Sequence, residues 1–230
     1  MKVYLDSVGC RLNQSEIERF ALVFRAAGHE LVALPENADL TVINTCTVTA
    51  AAASDSKQKI RQASRAGTGE ILVTGCWSTL NPREAVQLPS VVQVIANNKK
   101  EKLVTDYLQI DARDIDLEPI VRQPVPGARH RTRAFIKVQD GCNNHCAFCI
   151  TTVARGRGLS FPIDHVLADI HGALAGGAQE IVLTGVQLGS WGRDFYPKQT
   201  LRHLVQAILR NTDIPRLRLS SIEPWDIDAD

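Results

Sequence analysis

Three times within the first 76 residues a short apolar run is followed closely by a cysteine. Cys10 comes after Val3-Tyr4-Leu5, Cys46 after Val42-Ile43-Asn44 and Cys76 after Leu72-Val73-Thr74. Runs of this length, rich in β-branched residues, read as buried strands. Segments of helical period lie between them. Asn13 to Ala27 puts Ile17, Phe20, Ala21 and Phe24 on one face and is stopped by Gly28, and residues 48–66 put Ile60 and Ala63 on one face and end at Gly67. Strand and helix in strict alternation imply an α/β fold with a parallel sheet. The expected strands are Lys2 to Ser7, Asp39 to Asn44, Glu70 to Thr74 and Val91 to Ala96. Asn81-Pro82 opens a short helix as N-cap and first residue, and Lys99 to Gln109 is a further helix. Open parallel sheets bind ligands at the carboxyl ends of their strands, so neighbouring strands would bring these thiols to one edge. Taken singly, each cysteine reads as a buried, inert thiol. Taken together, their equivalent positions make them candidate metal ligands.

The alternation stops at Asp111 to Arg131, which holds three prolines, Gly127 and no clear period and reads as a linker. It resumes with a strand at Arg133 to Gln139 and a helix at Pro162 to Ala175 that aligns Ile163, Val166, Leu167 and Ile170. A strand at Glu180 to Leu183, a helix at Leu201 to Arg210 and a strand at Leu217 to Ser220 follow. The expected organisation is a doubly wound α/β domain over residues 1–110, a linker over 111–131, and a second α/β region over 132–230. Three β–α steps are the start of a barrel or another open sheet, well short of the ~250 residues of an eight-fold barrel. The last strand would then be an open edge.

With 230 residues, 44% hydrophobic and 22% charged, the chain can bury a sizeable core and is not of disordered composition. It has no run approaching the ~18 apolar residues of a membrane span. Asp6 stands where a secretory signal would be apolar, which places the chain in the cytoplasm. Cysteines there stay reduced, and six of them in two threes suit metal better than disulfides. The net charge of +1 hides an asymmetry: residues 122–157 carry 7 basic and 1 acidic side chains, between two slightly acidic regions. Such a segment is either a solvated linker or a source of phosphate contacts.

The second triplet lies in this segment, in Gly141-Cys142-Asn143-Asn144-His145-Cys146-Ala147-Phe148-Cys149. Thiolates spaced x3 then x2 on a loop can each meet a different iron of a cubic 4Fe-4S cluster, leaving the fourth iron open. The rivals are a helical face, since i, i+4 and i+7 share one side, and a zinc site using His145. Gly141, Asn143 and Asn144 disfavour a helix starting here, and zinc ligands more often come as two separated hooks.

The Cys142-x3-Cys146-x2-Cys149 pattern, with Phe148 before the last cysteine, resembles the radical S-adenosylmethionine motif. Gly9-Cys10-Arg11-Leu12-Asn13-Gln14-Ser15-Glu16, Asn44-Thr45-Cys46 and Thr74-Gly75-Cys76 resemble the N-terminal domain of the methylthiotransferases. Val138-Gln139-Asp140-Gly141-Cys142-Asn143-Asn144, Val182-Leu183-Thr184-Gly185-Val186 and Arg218-Leu219-Ser220-Ser221-Ile222-Glu223-Pro224 are most similar to the branch acting on threonylcarbamoyladenosine in tRNA. The resemblance covers essentially the whole chain. It implies two 4Fe-4S clusters: one on Cys142, Cys146 and Cys149, whose open iron chelates S-adenosylmethionine, and an auxiliary one on Cys10, Cys46 and Cys76 that carries the sulfur donor. Reductive cleavage of S-adenosylmethionine gives a deoxyadenosyl radical, which takes the hydrogen from carbon 2 of the adenine beside the anticodon. A second S-adenosylmethionine supplies the methyl group. The partners implied are tRNA and an electron donor of flavodoxin or ferredoxin type, with no membrane.

By the same resemblance the second region is the first half of a partial radical S-adenosylmethionine barrel. Phe148, Thr184, Gly185 and Gln187 stand where the superfamily meets its cofactor, although the last three also suit an ordinary β–α turn. Arg129, Arg131, Arg133, Arg155 and Arg157 flank the cluster loop as candidate tRNA phosphate contacts. Trp77 and Trp191 are candidates for base stacking, with core packing the plainer role. Two departures stand out. Ile150-Thr151-Thr152-Val153 follows Cys149 where the family has two aliphatics and a proline, and family members are roughly twice as long. The alternatives are methylthiolation of isopentenyladenosine in tRNA or of a ribosomal-protein aspartate, and a non-catalytic metal- or RNA-binding module.

Overall fold

The computed structural model describes residues 1–111, 121–126 and 132–226. They form two compact units, residues 1–111 with 124–126, and residues 121–123 with 132–226. Most of the expected linker, with Arg129 and Arg131, lies outside the described residues.

The first unit is a five-stranded sheet in the order β2-β1-β3-β4-β5, from β1 (Lys2–Ser7), β2 (Glu30–Leu31), β3 (Leu40–Thr45), β4 (Glu70–Gly75) and β5 (Val91–Ile95). All of its pairings are parallel. The strands are connected through helices α1 (Arg11–Ala26), α2 (Ala50–Arg65), α3 (Cys76–Leu80) and α4 (Pro82–Val86), and α5 (Leu103–Leu108) follows β5. The period of two sorts the side chains. Leu40, Val42 and Leu72 pack with Phe20 and Phe24 of α1 and Leu103 and Val104 of α5. Ile43, Ile71 and Val73 pack on the other face with Ile60 and Ala63 of α2, Trp77 and Ala85. A sheet covered on both faces has strands buried end to end, and every residue of β3 is buried, the polar Thr41, Asn44 and Thr45 included.

Local departures from expectation have local causes. The two-residue edge strand β2 is too short to show a period. Residues 97–102 form a 3-10 turn before α5 rather than the start of one helix, because Lys100 points into the core. Asn81 makes no side-chain cap to the helix after it; its amide donates back to the carbonyl of Trp77 and closes α3.

In the second unit β6 (Arg133–Lys137), β9 (Glu180–Thr184) and β10 (Leu217–Leu219) pair in parallel in the order β10-β9-β6. Helices α7 (Ile163–Ala175) and α8 (Leu201–Asn211) bury Val166, Ile170, Leu204 and Ile208 against Ala134, Ile136, Ile181 and Leu183. The expected strand to Gln139 breaks at Val138. Beyond it β7 (Gln139–Asp140) pairs antiparallel with β8 (Leu159–Ser160), bracketing the second cysteine triplet and the short helix α6 (Thr151–Arg155). No helix among the described residues is long and apolar enough to cross a membrane.

Candidate metal centre

Strand order in the first unit reverses between β1 and β3, and such a switch point is where open α/β sheets bind ligands. Ser7 is level with Asn44, Asn44 with Thr74 and Thr45 with Gly75. Cys10, Cys46 and Cys76 therefore follow the carboxyl ends of three neighbouring strands, each opening the loop or helix beyond. Gly9, at φ +93°, lies so close that a Cβ there would sit 2.5 Å from the Cβ and Sγ of Cys46. Only glycine allows that approach.

Beneath these loops lies a buried polar network absent from the sequence reading. Lys100 Nζ meets Glu16 Oε2 at 2.8 Å and donates to Asn44 Oδ1 at 3.2 Å. Asn44 Nδ2 donates to Glu16 Oε2 at 2.8 Å and to the carbonyl of Asn13 at 3.1 Å. Asn13 Nδ2 donates to the carbonyls of Val8 and Thr45, at 2.8 and 3.0 Å. The polar letters of the Cys10 and Cys46 motifs thus tie the β1–α1 and β3–α2 loops together. On the far side of Cys46, Ser56 Oγ accepts from its backbone N–H at 3.0 Å and donates to its carbonyl at 3.1 Å.

The second triplet projects from the β7–β8 hairpin. The N–H of Cys142 donates to the carbonyl of Gly156 at 3.1 Å, and the N–H of Cys149 to that of Cys146 at 3.0 Å. Gly141, at φ +63°, packs directly against the carbonyl of Arg157. Gln139 fixes the base of the loop. Its amide nitrogen donates to the carbonyls of Asp140 and Gly141 at 2.8 and 2.7 Å, and its oxygen accepts from Val186 and Gln187 N–H at 2.8 and 2.9 Å. A glutamine amide has two donors and two acceptor positions, and here all are used. One buried side chain therefore joins the cysteine loop to the turn after β9. Asp140 adds a second brace, accepting from Arg155 at 2.8 Å and from Lys137 at 3.3 Å.

Of the expected cofactor contacts, Gln187 alone meets a cysteine: its Oε1 accepts from Cys142 Sγ at 3.3 Å. Thr184 is buried and its hydroxyl donates to the carbonyl of Val182, while Gly185 packs against Gln139. Phe148 is 94% exposed at the loop tip. The arginines differ in their surroundings. The Arg155 side chain is 3% exposed and paired with Asp140, so it braces the loop. Arg133 is held by Glu180 at 2.6 Å. Arg157 is exposed. Trp77 and Trp191 are core residues, 2% and 0% exposed, and neither is placed to stack on a base.

No disulfide joins any of the six cysteines. Among the described residues no three His, Cys, Asp or Glu side chains are drawn tightly enough to chelate a single ion, His145 included. A cubane spreads its thiolates over separate irons and takes soft sulfur donors, which is what each triplet offers.

Residues 2–97 match the model of the Uncharacterized protein family UPF0004. The chain is 33% identical over 228 residues to the threonylcarbamoyladenosine tRNA methylthiotransferase MtaB of Chlamydia pneumoniae, covering 98% of this chain and 52% of that one. It is 35% identical over 235 residues to the MtaB of Bacillus subtilis, with the same coverage. A tRNA-2-methylthio-N(6)-dimethylallyladenosine synthase of Trichlorobacter lovleyi is 29% identical over 248 residues, covering 100% and 55%. The chain spans about half the length of the curated relatives it matches. Among solved structures, the radical S-adenosylmethionine methyltransferase TsrM from Kitasatospora setae, with tryptophan and a cofactor analogue bound, aligns at TM-score 0.64 and 15% identity over 95% of this chain and 54% of that one, a likeness of fold alone.

Proposed function

We propose that the chain belongs to the radical S-adenosylmethionine methylthiotransferase family, to whose members it is 33–35% identical over 98% of its own length, and that it serves cytoplasmic tRNA modification, adding a methylthio group at carbon 2 of threonylcarbamoyladenosine. In this reading Cys142, Cys146 and Cys149 hold a 4Fe-4S cluster with one iron free for S-adenosylmethionine, and Cys10, Cys46 and Cys76 hold an auxiliary one. When bound, cluster and cofactor supply a radical able to take hydrogen from an unactivated aromatic carbon, which no acid or base of this chain can do. The chain's own residues position the parts. Gln139 and Asp140 hold the loop, Gln187 stands at Cys142, and Phe148, exposed at the tip, would be open to the cofactor and to a flavodoxin- or ferredoxin-type donor. Thr184 and Gly185 shape the turn that carries Gln187. With Arg133 and Arg155 engaged by carboxylates, phosphate contact falls to Arg157 and, by sequence, to Arg129 and Arg131.

One observation supports this reading above the others: three cysteines stand at the ends of three adjacent strands in a chain that also carries the x3, x2 loop. Nucleoside mass spectrometry on tRNA from a strain deleted for the gene tests it. The 2-methylthio mark should vanish from threonylcarbamoyladenosine and persist on isopentenyladenosine. The reverse pattern assigns the other tRNA substrate. Intact marks on both, with purified protein that takes up iron without cleaving S-adenosylmethionine, would leave a metal-binding module.

A further inference from the structure

We propose that Asn97 is the outer-shell donor that sets the reduction potential of the strand-end cluster, through a hydrogen bond to the sulfur of Cys76. The inference rests on the reading that Cys10, Cys46 and Cys76 hold a cluster. Asn97 follows β5, which pairs with β4 at Thr74 and Ile95, so it occupies on the fourth strand the place that the cysteines occupy on the other three. Its Nδ2 donates to Cys76 Sγ at 3.6 Å. Its position is fixed from two directions. The Asn97 N–H donates to Thr79 Oγ1 at 3.0 Å, and the 3-10 turn that it opens is anchored by buried Lys100 on Glu16.

The physical consequence has a sign. Reduction adds negative charge that is shared by the ligating sulfurs. An N–H aimed at such a sulfur stabilises the reduced form more than the oxidised one and raises the potential. An amide does this without adding net charge to a site built of thiolates. Aspartate in its place has nearly the same shape, offers no donor when ionised and adds a negative charge.

The test uses the 230-residue protein with Cys142, Cys146 and Cys149 replaced by alanine, so that only the strand-end cluster contributes. Anaerobic reconstitution is followed by a redox titration monitored by electron paramagnetic resonance. Asn97→Ala should lower the midpoint potential and Asn97→Asp should lower it further, at unchanged iron content. Equal potentials in all three proteins overturn the proposal. Should Asn97→Asp take up no iron, Asn97→Ala decides alone. Loss of the cluster in both, with unchanged far-ultraviolet circular dichroism, means that Asn97 retains the cluster instead of tuning it, and also overturns the proposal. A parent protein that binds no iron overturns the underlying reading of the three cysteines, a result that no Asn97 variant can produce.

Discussion

Lys100→Met is the sharpest perturbation of the scaffold under the first triplet. Lys100 and Glu16 side chains are 1% and 2% exposed, and their charged atoms lie 2.8 Å apart. Removing the cation leaves the Glu16 carboxylate buried with no opposing charge from Lys100, and it takes a donor from Asn44 Oδ1. Breaking a buried pair on one side costs about 3–5 kcal/mol, a large part of the roughly 5–15 kcal/mol that holds a domain together. Pairing the change with Glu16→Leu removes that carboxylate as well. Such exchanges are often near neutral, so the double variant should recover most of the loss, short of about 1 kcal/mol for the hydrogen bonds of Asn44. Because the chain has two units, the readout must be local. Urea-dependent amide exchange of peptides spanning Leu40–Thr45 and Glu70–Gly75 provides it. A single variant costing under about 1 kcal/mol, or a double variant worse than the single, would refute the reasoning.

Other perturbations follow from the same contacts. Gln139→Ala strands the part-buried N–H of Val186 and the buried N–H of Gln187, which should cost the second unit about 1–3 kcal/mol and lower iron retention by the Cys142 loop, read by urea unfolding and by iron loss to a chelator. Gly9→Ala forces a positive φ on alanine and pushes its Cβ into Cys46, so iron bound through Cys10, Cys46 and Cys76 should fall while iron on the other triplet is kept. Burial pushes the Glu180 carboxyl up, but Arg133 and Arg218 outweigh it and leave it below its ordinary value. A depressed carboxylate stabilises the fold above its unfolded value, about 4.3, and that contribution is lost as the pH falls through the folded one. Acid unfolding of the second unit should therefore weaken its pH dependence in Glu180→Gln; an unchanged acid transition contradicts this.

The parts legible in the sequence are those written in local pattern. Strands covered on both faces carry short apolar cores, Val3-Tyr4-Leu5, Val42-Ile43 and Ile71-Leu72-Val73, so β1, β3 and β4 and the cysteines behind them could be placed without coordinates. The x3, x2 loop is legible because its spacing is its chemistry. What could not be read depends on partners distant in sequence. Lys100 looks like a solvated lysine until Glu16, 84 positions earlier, is seen beside it. Gln139 looks like one polar residue in a strand, and its role exists only because the β9 turn folds back onto it. Arg155 belongs to a basic segment by composition, yet Asp140 pulls it inward. The signal available for these residues was their membership in the motifs around Cys10, Cys46 and Cys142, which marked the neighbourhood without assigning the contact.

The central claim is that two triplets of thiolates each hold an iron–sulfur cluster. Anaerobic reconstitution with iron and sulfide, followed by metal and sulfide analysis, tests it directly. The account predicts about eight irons and eight sulfides per chain, as two cubanes require. It further predicts about four of each when either Cys10, Cys46 and Cys76 or Cys142, Cys146 and Cys149 are replaced by alanine. Zinc uptake in place of iron, or an iron content indifferent to removal of the strand-end cysteines, would contradict it.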